Sequence, residues 1–353
     1  MRLFVILFAI LLVALAAPGD FVPAATAQEI VNVWEGTQDG QSWSDQTRWS
    51  LDHPPTNTEV ALIDNGKIPY VTNGVTGYCK RLVVNNDNGN GSGVKIEQGG
   101  TLIIGDGDEW TSSLEKSGNE LEIVGTLKIS GIQTFIGKGT IRMSNEDTSL
   151  IQEANGADDL LVLETECVSS PIDRGCSITL AGKGNVAVAV DNRSFVVADY
   201  DGWDPVKLSL TTRPKTTSGG AEAYWICENG GTMFIYTTIT GSGHWEVADV
   251  NCKDYCAIRL QKCNGTIVVD AGGCVRGTGD VVLEAGCGGT NDHQLKVRYN
   301  TFCTTGNLTW RSVSGGPNNF KSSPSIFIDD TFSAYATAMF GLSSDCDSTL
   351  CSD

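Results

Sequence analysis

The chain is short of cations. It carries 24 lysines and arginines against 42 aspartates and glutamates, a net charge of −18. Phosphate binding needs clustered basic side chains, so this balance argues against nucleic acid and against docking on anionic membranes. Histidine is scarcer still, with three in 353 residues. No Gly-x-Ser-x-Gly, no His-Glu-x-x-His and no phosphate-cradling glycine loop before a helix occurs, so serine hydrolysis, zinc proteolysis and phosphoryl transfer lack their residues. The Gly-His-Gly of pectin-hydrolysing enzymes is also missing. Long apolar runs are confined to the beginning: Leu3 to Ala17 has no charge, follows Arg2, and precedes Ala25-Thr26-Ala27. That layout predicts a secretory signal peptide over residues 1–27, since the run is short of the roughly 20 residues a span requires. The expected protein is therefore exported, secreted or held at the cell surface, and does not insert in the membrane.

What is abundant is glycine, 41 residues against 10 prolines, and a phrase that places it. Gly100-Thr101-Leu102-Ile103-Ile104 is followed by Gly125-Thr126-Leu127-Lys128-Ile129, Gly139-Thr140-Ile141-Arg142-Met143, Gly265-Thr266-Ile267-Val268-Val269 and Gly279-Asp280-Val281-Val282-Leu283. A turn glycine followed by a short alternating strand, repeated along the chain, builds stacked rungs that bury their inward side chains on their neighbours. The fold class expected is all-β: a parallel β-helix, or β-solenoid, with an aromatic-rich N-terminal cap and a short C-terminal capping helix. The divisions read from the chain are the signal peptide, a Trp-rich cap over 28–75, a first solenoid half over 76–210, a polar loop or hinge, a Cys-rich second half over 221–329, and a helix and tail over 330–353. Helical spacing of Phe332, Tyr335, Ala336, Met339 and Phe340 behind Asp330 suggests that helix.

All 12 cysteines lie after the signal segment. In an oxidising compartment disulfide pairing is their expected state, with Cys167 to Cys176 and Cys346 to Cys351 as short loops; Cys252-x3-Cys256 is the weaker zinc-like alternative.

Trp34, Trp43 and Trp49 fall within one short segment. They suit a lid over the first rung, which would otherwise leave apolar surface and strand edges open. Alternatively they line a sugar-stacking groove and are the ligand-binding residues, because flat rings match the apolar faces of sugars. Asp106, Asp108 and Glu109 crowd three carboxylates into one turn, a candidate metal site for calcium, and the turn from Asn86 to Glu97 echoes an EF-hand loop in its oxygen spacing. The best cluster for chemistry is Asp292-His293 with Lys296 and Arg298. Asp292 would serve as acid or calcium ligand, His293 as proton carrier, and the two cations as clamps on a carboxylate.

The motif W-x-G-x6-W-x-D-x3-W from Trp34 to Trp49, the Pro54-Pro55 turn, the Val60-Ala61-Leu62-Ile63 strand and the G-x-L-x-I rungs together resemble the entry module of exported bacterial β-solenoid proteins, the adhesin-like and autotransporter-passenger-like group. The resemblance implies a non-catalytic extracellular protein, monomeric, that contacts a polysaccharide or cell-surface glycan in adhesion. The alternative on the same scaffold is a polysaccharide lyase or glycoside hydrolase acting on an acidic polysaccharide.

Overall fold

The computed structural model describes residues 28–239 with their side chains, apart from 87–90, 157, 167–173, 200–205, 219–222, 229–230 and 238 and the side chains of 206 and 232; beyond 239 it describes the backbone of the strands alone. Residues 31–353 are one compact unit. It is a parallel β-solenoid with three strands per turn, one on each of three faces. We call these faces A, B and C in chain order. In the first turn they are Glu59–Ile63, Tyr70–Val71 and Thr76–Cys79. Seven turns run to Gly231–Ile235, and the same parallel stacking continues through the strands that follow as far as Ser325–Ile328.

The alternation that marks each rung in the sequence is what closes the bore. In Thr101–Ile104, Leu102 and Ile104 are buried while Thr101 and Ile103 face out. The next turn repeats this in register, Thr126 on Thr101 and Leu127 on Leu102. Apolar columns follow: on face B, Leu121, Ile141, Leu180, Val196 and Trp225 stack turn on turn. Each inward side chain loses nearly all its accessible surface, worth roughly 1.5–3 kcal/mol for a residue of this size.

Buried asparagines at the corners pair with backbone groups, whereas Gln133 Oε1 and the Trp34 and Trp43 indole nitrogens are buried without a partner. Asn119 Nδ2 donates to the Val84 carbonyl at 2.8 Å and its Oδ1 accepts from Ser92 N at 3.3 Å. Asn192 does the same at a later corner, donating to the Tyr224 carbonyl at 3.0 Å and accepting from Ser194 N at 3.0 Å. Asn192 heads a glycosylation sequon, yet its fully buried amide is spent on stitching turns together.

Turn glycines meet two different demands. Gly105 and Gly107 have nearly the same backbone, φ +109° and +106°. A Cβ on Gly105 would collide with the Ser130 carbonyl of the next turn, whereas one on Gly107 would meet nothing. Gly107→Ala should therefore show the left-handed backbone cost alone, of order 1–2 kcal/mol, and Gly105→Ala clearly more. Urea denaturation of the two variants measures the difference; equal losses would mean that turn stacking does not crowd Gly105.

Several expectations are revised. The lid ends before Glu59, because residues up to Cys79 already form a complete turn. The stretch read as a hinge carries the ladder straight through it: Val206–Leu210 pairs with Gly231–Ile235, and Lys215–Thr217 lies between Ala189–Arg193 and Ile239–Gly241 on face A. Two cysteines are not in disulfides. Cys79 and Cys227 fill the bore as small apolar side chains, and burial pushes the Cys79 thiol upward, away from the reactive thiolate. Cys167 and the proposed Cys346 to Cys351 pair lie outside the described residues. So do Asp330 and the Phe332 to Phe340 helix; after them, Asp347–Leu350 pairs antiparallel with Leu308–Ser312.

Candidate functional site

The aromatic cluster near the start is core. Trp34, Trp43 and Trp49 are each 1% exposed. Trp49 meets Trp34 at 5.0 Å and Trp43 at 4.8 Å between ring centroids, both edge to face, and its Nε1 donates to the Trp43 carbonyl at 2.8 Å. The lid is sewn to the first turn through Trp34 N to Leu62 O at 2.9 Å, Trp43 N to Tyr70 O at 2.8 Å, and the Asn65 amide, which bridges the carbonyls of Trp34 and Gly36. This corrects the sugar-stacking reading: with their rings packed on one another, the three indoles present no face to a sugar. Elsewhere among the described residues, Trp225 is buried and the half-buried Trp110 carries the Lys80 ammonium 3.4 Å above its ring.

The acidic turn is also not a metal cage. Asp106 Oδ1 is engaged by Trp110 Nε1 at 2.7 Å and by Asp108 N at 3.1 Å, so it caps its own turn. Among the described residues no group of three or more His, Cys, Asp or Glu side chains is arranged to hold a metal ion. Asn86, the first position of the calcium-loop echo, is buried, and 87–90 lie outside the described residues. Asp292, His293 and Arg298 lie outside them as well; Lys296 is placed only by its backbone, between Val268 and Phe327.

What the solenoid does build is a polar groove on its outer surface, at the corner where face A turns into face B. Arg81, Thr111, Ser113, Lys116, Lys138 and Glu166 are among the residues that line one recess of about 430 Å³. Lys138 also borders a second, of about 310 Å³, with Thr140, Arg142, Thr179, Asp199 and Glu228. The side chains come from separate turns. Face A register sets Ser113 against Val83 on one side and Ile136 on the other, and face B register sets Arg142 between Glu122 and Ala181. Adjacent turns lie about 4.8 Å apart, so the outward side chains of consecutive turns recur at that spacing along the axis.

Lys138 is presented by the corner itself. Gly137 takes φ +106°, and the amides of Lys138 and Gly139 both donate to the Leu114 carbonyl at 2.8 Å. This tight turn lifts the lysine onto the rim. Among the described residues its ammonium has no ion-pair partner. Arg142 is anchored instead: its Nε donates to Glu120 at 3.0 Å and Nη1 lies 4.0 Å from Asp199. Beside it, Lys95 and Glu122 pair at 2.8 Å, and that hydrogen bond raises the lysine above its usual range. Ala181 and Val197 also line the second recess; both are buried, in a small cluster outside the bore that also holds Phe195 and Tyr224, stacked at 5.0 Å.

The groove therefore offers hydroxyls, cation–carboxylate pairs and, among the described residues, one uncommitted ammonium. None of Arg81, Lys116, Lys138 and Arg142 was singled out from sequence. The available signal was the polar slot in Gly139-Thr140-Ile141-Arg142-Met143, whose outward arginine was read only as part of a strand. Comparison of the chain with protein-family models, with curated proteins and with solved structures finds no match.

Proposed function

We propose that this protein is a non-catalytic extracellular β-solenoid that binds a polysaccharide or cell-surface glycan through the groove around Lys138. The observation that carries the reading is the groove's composition, in which hydroxyls, carboxylates and cations from successive turns line one surface. Sugars need this mixture, because each hydroxyl both donates and accepts a hydrogen bond. A solenoid suits the task because its groups repeat along a stiff axis and need little ordering on binding. Export by the N-terminal segment is part of the same proposal.

The test is retention and cleavage on an array of extracellular polysaccharides, with the full chain purified in its oxidised form. The expected result is retention without release of reducing or unsaturated ends. Release of either product would replace the binding module with the lyase or hydrolase reading. Absence of retention on every polymer would remove the glycan reading altogether.

A further inference from the structure

Resting on the glycan-binding reading, we propose that the ligand is a polyuronate, a polysaccharide whose sugars carry both free carboxylates and free hydroxyls, and that one carboxylate is seated at Lys138.

Charge and valence narrow the ligand. Outside this groove the chain is strongly acidic, and an anionic polymer is repelled by most of its surface. Around Lys138 the balance differs: Arg81, Lys116, Lys138 and Arg142 stand in the two recesses with Glu115, Glu166, Asp199 and Glu228, so the groove is balanced where the rest of the chain is acidic. Lys138 alone borders both recesses, and its ammonium is without an ion-pair partner among the described residues. A neutral sugar would bring no charge to it.

The acids narrow the choice from the other side. Glu115 and Glu166 can only accept hydrogen bonds when ionised, so a ligand seated beside them is favoured by O–H donors. A polymer of phosphates or sulfates with few hydroxyls would leave these carboxylates facing like charge. Nucleic acid fails for this reason, and its charge density aggravates the repulsion. A uronate chain supplies both halves on each residue: a carboxylate for an ammonium or guanidinium, and hydroxyls for the acids and for Thr140 and Thr179. The Arg142–Glu120 pair, stretched toward Asp199, holds the guanidinium in a fixed orientation beside Lys138, so less side-chain freedom is lost on binding.

The experiment immobilises polygalacturonate, the same polymer with its carboxyls methyl-esterified, dextran, and dextran sulfate, and measures binding of the full chain and of Lys138→Glu. Lys138 is exposed on a turn, and circular dichroism of the variant checks that it folds. Expected are preferential binding of polygalacturonate, at least tenfold weaker binding of the esterified polymer and dextran, binding of dextran sulfate weaker than polygalacturonate, and at least a tenfold loss for Lys138→Glu on polygalacturonate alone. Equal binding of free and esterified polymers overturns the inference, because the carboxylate then plays no part. Dextran sulfate binding as well as or better than polygalacturonate overturns it in favour of unspecific charge. Dextran bound in preference to polygalacturonate overturns it while leaving the glycan reading intact, and binding of no polymer removes both.

Discussion

Replacing Trp49 with alanine should destabilise the protein by about 3–5 kcal/mol, the range for emptying a buried aromatic site. Trp49 is the middle ring of the lid. It touches Trp34 and Trp43 edge to face, and the loss includes its hydrogen bond to the Trp43 carbonyl. Edge-to-face pairs contribute about 0.5–1.5 kcal/mol each beyond burial, so two contacts disappear with one side chain. The lid also covers the first turn, whose inward residues Ala61, Ile63 and Val71 are fully buried beneath it. Loosening it would expose a strand edge and invite end-to-end association. Urea denaturation followed by tryptophan fluorescence, with light scattering in parallel, measures both consequences. A loss below about 1 kcal/mol would mean the three indoles are peripheral. Glycan retention by Trp49→Phe, which keeps a ring, should match the unsubstituted protein, since no indole of the lid meets the ligand.

Lys215 is the other position where one substitution should have a large effect. It stands in an inward column of face A between Val190 and Ile239, both apolar, and is fully buried. Its Nζ donates to the carbonyls of Val188 at 2.7 Å, Thr211 at 3.0 Å and Arg213 at 2.7 Å, using all three protons. The corner it secures contains Thr212 at φ +60° and is braced outside by Arg213, which grips the Glu153 carboxylate at 2.9 Å. Lys215→Ala removes the donor and the stem together and should cost about 3–5 kcal/mol. Lys215→Met keeps the stem and should cost less, about 2–4 kcal/mol, through the carbonyls left unpaired.

The same lysine predicts a pH dependence. Burial lowers its ammonium to about 7; Glu153 acts against this and Arg213 adds to it. Because the folded value lies below the unfolded one, near 10.5, the unfolded chain binds the extra proton across that window. Stability linked to Lys215 therefore rises as pH climbs from about 7 toward 10.5, and is flat below 7. The melting temperature of the unsubstituted protein relative to Lys215→Met should increase between pH 7 and pH 9.5. A constant difference would show that the three carbonyls hold the proton on the lysine throughout.

The solenoid was legible because alternation with a turn glycine has one efficient packing. Its spacing was not, and the reason is geometric. The phrases at Gly100 and Gly125 lie on one face a turn apart, whereas Gly139 opens a strand on another face, on top of Glu120–Ile123. A repeat used on several faces, with corners of unequal length, gives no single period. Trp34, Trp43 and Trp49 were visible as a group, but their burial depended on neighbours that carry no pattern. Gly36 has no side chain where the Trp34 ring lies, and Gly77 leaves room for Trp43. Lys215 was hidden for a different reason: Lys215–Thr217 is only 3 residues long, too short to alternate, and follows Pro214 in a polar run. The groove was least legible of all. Arg81, Lys116 and Lys138 come from consecutive turns and meet only through a register that sequence distance does not set, Leu82 lying against Ser112 30 positions on.

Hydrogen exchange of the full chain with and without a retained polysaccharide tests most directly whether the Lys138 groove, rather than the lid, meets the ligand. Slowed exchange in peptides spanning residues 115–118 and 137–142, with residues 33–49 unchanged, is the predicted result. Protection of 33–49 with the groove peptides unchanged would contradict it, and would return the binding surface to the aromatic end of the solenoid.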